Sequence, residues 1–134
     1  GTSQLQVVAA INGVTKGTFL EQIERYATAA YSEPMQPQAS SLQRLTEQLR
    51  AMIERVETLD KECAGYKELH ARRLVETVGY IVMGYLLVRQ ASRHPEVYTD
   101  SAQVFCRLAE GKVAEAAATI AASPVEDVAL YQMA

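Results

Sequence analysis

Apolar residues recur along this chain at helical spacings of three and four and divide it into amphipathic segments. In the first segment, Phe19, Ile23 and Tyr26 form one apolar stripe. This stripe predicts a first helix that begins at Thr18 and ends before Pro34, because proline disrupts a helix interior.

The second segment has the most regular periodicity, and it predicts a helix from Ser40 to a hinge at Gly65, where a left-handed residue can close a helix. Such a repeat is compatible with a coiled-coil oligomer, but Ile53 widens the stripe and favours packing within one bundle. The apolar positions of this repeat are Leu42, Leu45, Leu49, Met52, Val56, Leu59, Cys63 and Tyr66.

The third helix is predicted from about Lys67 to Arg93, and its middle is apolar on every side. A helix of this kind belongs at the centre of a bundle. Gly79 and Gly84 lie in this apolar stretch, where they allow neighbouring helices to approach closely despite the lower helix propensity of glycine.

A fourth helix is predicted from about Asp100 to Ala122. Capping-box patterns at Thr18, Ser40 and Ser123 indicate helix starts, the last with Pro124 as the first helical residue. Residues 1–17 form an entry segment that we expect to be extended or a short helix. Together these elements predict an all-α, four-helix up-and-down bundle over residues 18–134, within a single domain.

Composition narrows the class of protein without identifying it. The chain has 134 residues, of which 49% are hydrophobic, as expected for one globular domain. Thirteen Lys and Arg against sixteen Asp and Glu give a net charge of −3, which argues against a nucleic-acid partner. The longest apolar run is eleven residues, so no membrane span is predicted. Two widely separated cysteines favour a reducing, cytoplasmic location.

Candidate chemistry in the sequence is sparse. The glycine-containing loop at residues 13–18 lacks the order of a P-loop, in which lysine follows the second glycine. Cys63, His70 and His94 are too few and too scattered for a zinc site, and neither histidine has the Glu-x-x-His spacing of di-iron bundles. We therefore predict no catalytic, cofactor-binding or metal-ligating residue in this chain.

Three stretches of the sequence carry a family resemblance. Residues Tyr66 to Leu87 resemble the central helix of the C-terminal helical domain found in a bacterial subgroup of acyl-CoA dehydrogenases. Phe105 to Ala122, which includes Lys112 and is followed by Pro124, resembles the last long helix of that domain, and residues 13–31 resemble its entry.

The resemblance implies an accessory role beside a catalytic body. In such proteins a flavin-containing body oxidises an acyl-CoA with FAD as the acceptor, as part of fatty acid metabolism, and none of its catalytic or flavin-binding residues matches a position here. The implied partners are the catalytic domains of the same polypeptide or subunit, in a homo-oligomer. Tyrosine and arginine are enriched at interfaces. The expected interface residues are Arg72, Arg73, Tyr80, Tyr85 and Arg89.

Two other functions remain open from the sequence. The chain could be a free-standing helical adaptor or oligomerisation module. It could instead bind a small acyl ligand in a bundle cavity lined by Met52, Met83 and the tyrosines.

Overall fold

The structure, a computed structural model that describes residues 17–133, consists of helices joined by short turns, with no β-strand in that range. Residues 1–16, and with them the predicted entry segment and most of the loop before Thr18, lie outside the described residues. The helices are α1 (Thr18–Ala27), α2 (Gln36–Glu62), α3 (Tyr66–Arg93), α4 (Pro95–Ala122) and α5 (Asp127–Met133), with a 3₁₀ turn at Glu33–Met35.

The three long helices α2, α3 and α4 contact one another and form the body of a bundle, and α1 packs on α2 and α3. This arrangement confirms the predicted all-α bundle, with α1 as its short fourth member. A hydrogen bond from the Ser32 amide to Ser92 Oγ, 3.0 Å long, ties the segment after α1 to the end of α3. The short helix α5 contacts α3.

Two helices begin earlier than the sequence predicts. α2 begins at Gln36 rather than Ser40, and α4 begins at Pro95 rather than Asp100. The physical reason is the same in both helices, because a proline in the first helical turn has no N–H to leave unpaired and its fixed φ suits a helix. Pro37 and Pro95 therefore start helices instead of separating them.

The third capping-box prediction is also wrong. α5 begins at Asp127, and Pro124 lies in the turn before it rather than at the first helical position. Ser123 Oγ donates a hydrogen bond to the Asp127 carboxylate, 2.8 Å away, instead of capping a backbone N–H.

The turn between α2 and α3 confirms the predicted hinge at Gly65. Its φ is +105°, in the left-handed region that residues with a Cβ rarely adopt. The Tyr66 amide then donates to the carbonyl of Cys63, 3.3 Å away, and closes the turn.

The core lies among α2, α3 and α4, and the apolar stripe of α2 is buried within the monomer. The heptad repeat therefore serves intramolecular packing, as predicted. Within α2 the buried apolar residues are Ala39, Leu42, Leu45, Leu49, Met52, Ile53 and Val56.

The prediction that the middle of α3 is buried on every side is wrong. Gly84 approaches Leu42 of α2 closely, as expected, but Gly79 and Met83 are exposed on the opposite side of the helix. Because α3 packs between α2 and α4 but is not surrounded by them, one side remains on the surface. Met52 is buried in the core whereas Met83 is on the surface, so the two methionines do not line one cavity.

Candidate functional site

An open groove with a volume of about 540 Å³ runs along the surface where α3 lies beside α4. Three of the five predicted interface residues, Arg72, Arg73 and Tyr80, line it. The two arginines are exposed, and Tyr80 is half-buried against Phe105 of α4, with ring centroids 6.1 Å apart. Antiparallel packing of the two helices thus gathers residues that the sequence alone places only on one helix.

Acidic and basic side chains are equal in number along this groove. On α3 the sequence Glu68, Arg72, Glu76 places alternating charges one turn apart, and α4 contributes a lysine and a glutamate. A lining of this kind suits a polar protein surface better than an acyl chain, which requires an apolar wall. The six charged residues are Glu68, Arg72, Arg73, Glu76, Lys112 and Glu115.

The other two predicted interface residues, Tyr85 and Arg89, lie in a separate aromatic cluster beneath α1. Tyr85 is completely buried and stacks on Tyr26 and Tyr31, with ring centroids 6.0 and 6.1 Å away. The guanidinium of Arg89 lies 5.9 Å from the centroid of the Tyr26 ring, within the range of a cation–π contact. Burial raises the pKa of Tyr85 to about 12, so its hydroxyl stays protonated. This cluster attaches α1 to α3, and Tyr85 offers no surface to the groove.

A polar network beside the N-terminal end of α3 could not be predicted from the sequence. Ser123 Oγ donates to Asp127, so His70 Nε2, 3.0 Å from the same hydroxyl, is the donor in that contact. His70 Nδ1 is then the acceptor facing Arg73 Nη1, 3.4 Å away. The serine lies between the histidine and the aspartate, whereas a hydrolase triad requires the histidine in the middle. The network therefore holds the turn after α4 instead of activating a nucleophile.

The electrostatics of His70 fit this structural role. Burial, the largest effect, and the positive charge of Arg73 together lower the pKa of the imidazole from 6.5 to about 4, although the nearby Asp127 carboxylate acts in the opposite direction. His70 is therefore neutral near pH 7.

Two side chains from other helices satisfy the carbonyl groups at the end of α4. Tyr66 Oη donates to the Ser123 carbonyl at 2.8 Å. Arg55 of α2 donates from Nε to the Ile120 carbonyl at 3.0 Å and from Nη2 to the Ser123 carbonyl at 3.2 Å. A positive charge is favourable at a helix C-terminus, where unpaired carbonyls carry a partial negative charge.

Other reactive side chains are separate from one another. Cys106 is buried, and burial raises the pKa of its thiol to about 11. Within residues 17–133, no cluster of three or more His, Cys, Asp or Glu side chains is placed to hold a metal ion. None of the helices described there has both the length and the apolar character needed to cross a bilayer.

Comparison with known proteins identifies the family. The family model for the acyl-CoA dehydrogenase C terminal matches residues 15–128. Among solved structures, the chain is similar to the acyl-CoA dehydrogenase family protein from Porphyromonas gingivalis, with 30% sequence identity and a TM-score of 0.77. That alignment covers 87% of this chain and 98% of the other. No curated protein matches the sequence. The chain belongs to the family of acyl-CoA dehydrogenase C-terminal domains.

Proposed function

We propose that this chain is the accessory helical domain of an acyl-CoA dehydrogenase-like flavoenzyme, and that it packs on the catalytic body or at a subunit interface without catalytic residues of its own. The observation that carries the proposal is the family match over residues 15–128, which spans all three long helices. On this proposal, acyl-CoA oxidation, FAD and the place in fatty acid metabolism belong to the preceding catalytic body.

The exposed surface supports a docking role. Large apolar side chains are exposed on α3, α4 and α5, as expected for a domain that is covered when it is attached to a larger protein. They are Met83, Val97, Val104, Leu108, Leu130, Tyr131 and Met133.

The groove between α3 and α4 is the surface that we assign to the catalytic body. Arg72 and Lys112 provide cations from its two sides, and Tyr80 provides an aromatic surface with a polar end. These residue types recur where two protein surfaces meet through a partly polar contact. The open, charged lining offers no enclosed apolar slot for a flavin ring, which supports placing FAD outside this groove.

The ligand-binding alternative has less support, because this groove is open and lined by charged residues, whereas an acyl ligand requires an enclosed apolar cavity. A free-standing adaptor would use the same exposed surface without a flavin. The flavin content of the native protein distinguishes an adaptor from an accessory domain.

Limited proteolysis of the native flavoprotein tests the docking role. We expect Arg72→Glu combined with Lys112→Glu to weaken docking, so that a protease releases the helical domain severalfold faster while the flavin remains bound to the catalytic body. The matched control is Arg44→Glu combined with Lys61→Glu, which makes the same charge change at exposed positions of α2. Equal release rates for the two double variants would contradict docking through the groove. Absence of flavin from the native protein would contradict the accessory role itself.

A further inference from the structure

The outer face of α4, which points away from the core, exposes apolar side chains that do not line the groove. Val97, Val104 and Leu108 are 63%, 57% and 49% exposed. Their spacings of seven and four residues place them on one side of the helix. The buried positions of α4, which face the core, are Ala102, Cys106, Ala109, Val113 and Ile120. The outer side of α4 therefore has no partner within the described chain.

This face is complementary to itself when a second copy runs antiparallel to it. In such a pair, related by a twofold axis at Val104, residues equally far from Val104 in opposite directions meet. Val97 then lies over Gly111 of the second copy, since each is seven residues from Val104. A large exposed side chain thus meets a position without a side chain.

The charged residues beside the apolar positions follow nearly the same symmetry. Asp100 and Arg107 are seven residues apart, close to two helical turns, so they lie on the same flank of α4. Asp100 lies four residues before Val104 and Arg107 three residues after it, so in the antiparallel pair Asp100 of each copy lies within one residue, about 1.5 Å along the axis, of Arg107 of the other. Their side chains can bridge this offset, which gives two ion pairs per dimer. Both residues are exposed, and neither forms an ion pair within residues 17–133.

Gly111 is compatible with a second copy packed on this face. A glycine inside a long helix lowers helix stability relative to alanine. A Cβ built on Gly111 meets no atom within 4 Å, so packing inside the described chain does not require a glycine there. Gly79 has the same open surroundings, and at Gly111 the absent side chain leaves room for Val97 of a second copy.

We propose that α4 pairs antiparallel with α4 of a second copy of this chain, about a twofold axis at Val104, with Asp100 opposite Arg107 and Val97 over Gly111. The proposal goes beyond the accessory role, because it concerns contact between two copies and applies whether or not a catalytic body precedes the domain. One helix face per subunit buries less than the roughly 1,600 Å² of a standard stable interface. The dimer is therefore reversible, and its affinity falls as salt rises.

A charge swap tests the pairing in the full chain by sedimentation equilibrium. Asp100→Arg alone, or Arg107→Asp alone, replaces two attractive contacts with two repulsive ones. We expect each to raise the dimer Kd about tenfold, as two exposed ion pairs allow. The double variant restores both pairs with reversed sign and should return the Kd close to that of the unmodified chain. A double variant as weak as the single variants, or a chain that is monomeric at every concentration, would overturn the proposal.

One further variant separates pairing from folding. Gly111→Leu should raise helix stability while it weakens dimerisation, because its side chain occupies the space that Val97 of the second copy requires. A destabilised fold is not expected to produce this combination, and an unchanged Kd for Gly111→Leu would contradict the proposed register.

Cysteine cross-linking tests the register directly. In a chain whose native cysteines are replaced, Val104→Cys should form a disulfide-linked dimer under mild oxidation, whereas Ala51→Cys, exposed on α2, should not. A mixture of Val97→Cys and Gly111→Cys chains should cross-link to each other faster than either does to itself. If the catalytic body covers this face instead, Val104→Cys will give no dimer in the native flavoprotein, and the proposal fails there while the accessory role stands.

Discussion

Replacing Gly84 with alanine tests the closest approach in the core. A Cβ built on Gly84 lies 2.5 Å from Leu42 Cδ2 and 3.3 Å from Leu42 Cδ1. Ordinary contacts between carbon atoms lie at about 3.5–4.0 Å, so the leucine must retreat by about an ångström. Leu42 is completely buried, and its neighbours leave little space for this movement.

The expected change in the free energy of unfolding follows from two opposing effects. Alanine raises helix propensity by about 1 kcal/mol, whereas overpacking a core costs about 1–3 kcal/mol. We therefore expect Gly84→Ala to lower the free energy of unfolding by up to about 2 kcal/mol. Gly79→Ala is the matched control, because Gly79 lies in the same helix with no atom within 4 Å of a built Cβ. The control should be about 1 kcal/mol more stable than the unmodified chain.

Urea unfolding followed by far-ultraviolet circular dichroism measures both variants. Both variants gain helix propensity, so the difference between their unfolding free energies isolates the cost of the contact with Leu42. We expect this cost to be about 1–3 kcal/mol. Leu42→Ala in the Gly84→Ala background should cost less than Leu42→Ala alone, because the smaller side chain removes the clash. Equal stabilisation by Gly84→Ala and Gly79→Ala would refute the close packing of α3 on α2.

Three further predictions concern the turns and the polar network. The folded pKa of His70, about 4, lies below the unfolded value of 6.5, so its contribution to stability is complete above about pH 6.5 and is lost as the pH falls toward 4. Between pH 7 and pH 4.5 the unmodified chain should lose on the order of 2 kcal/mol more stability than His70→Gln, and parallel pH profiles would contradict this. Tyr66→Phe removes the 2.8 Å hydrogen bond to the Ser123 carbonyl. In urea titrations it should lower the unfolding free energy by about 0.5–1.5 kcal/mol. No change would mean that Arg55 satisfies that carbonyl alone. Gly65→Ala places a Cβ at a φ of +105° and should cost about 1–2 kcal/mol, measured by thermal unfolding, while a neutral result would exclude the left-handed hinge.

Most of the bundle could be predicted from local pattern because its core follows helical periodicity. The buried residues of α2 are those that its spacing places on one face, and Gly65 is the position where the chain reverses. Helix starts were less predictable, because Pro37 and Pro95 are compatible with a first helical turn as well as with a boundary. The exposed side of α3 was missed because a continuous apolar run does not show which of its faces has a neighbour.

The candidate site was predictable only in part. Arg72, Arg73 and Tyr80 share one side of α3 by spacing, but their meeting with Lys112 depends on how α4 packs beside them. Tyr85 was predicted at the interface because tyrosine is enriched there, but it is buried because α1 covers it. The network of His70 with Ser123 joins residues 53 positions apart, and nothing in the local sequence of either residue indicates the contact.

On the proposed function, this helical domain is part of a larger flavoenzyme. The most direct measurement purifies the native protein with an antibody raised against the domain and records polypeptide mass and flavin absorbance in the same chromatographic peak. We expect a yellow polypeptide several times heavier than this chain. A colourless polypeptide of about the length of this chain would exclude the accessory role.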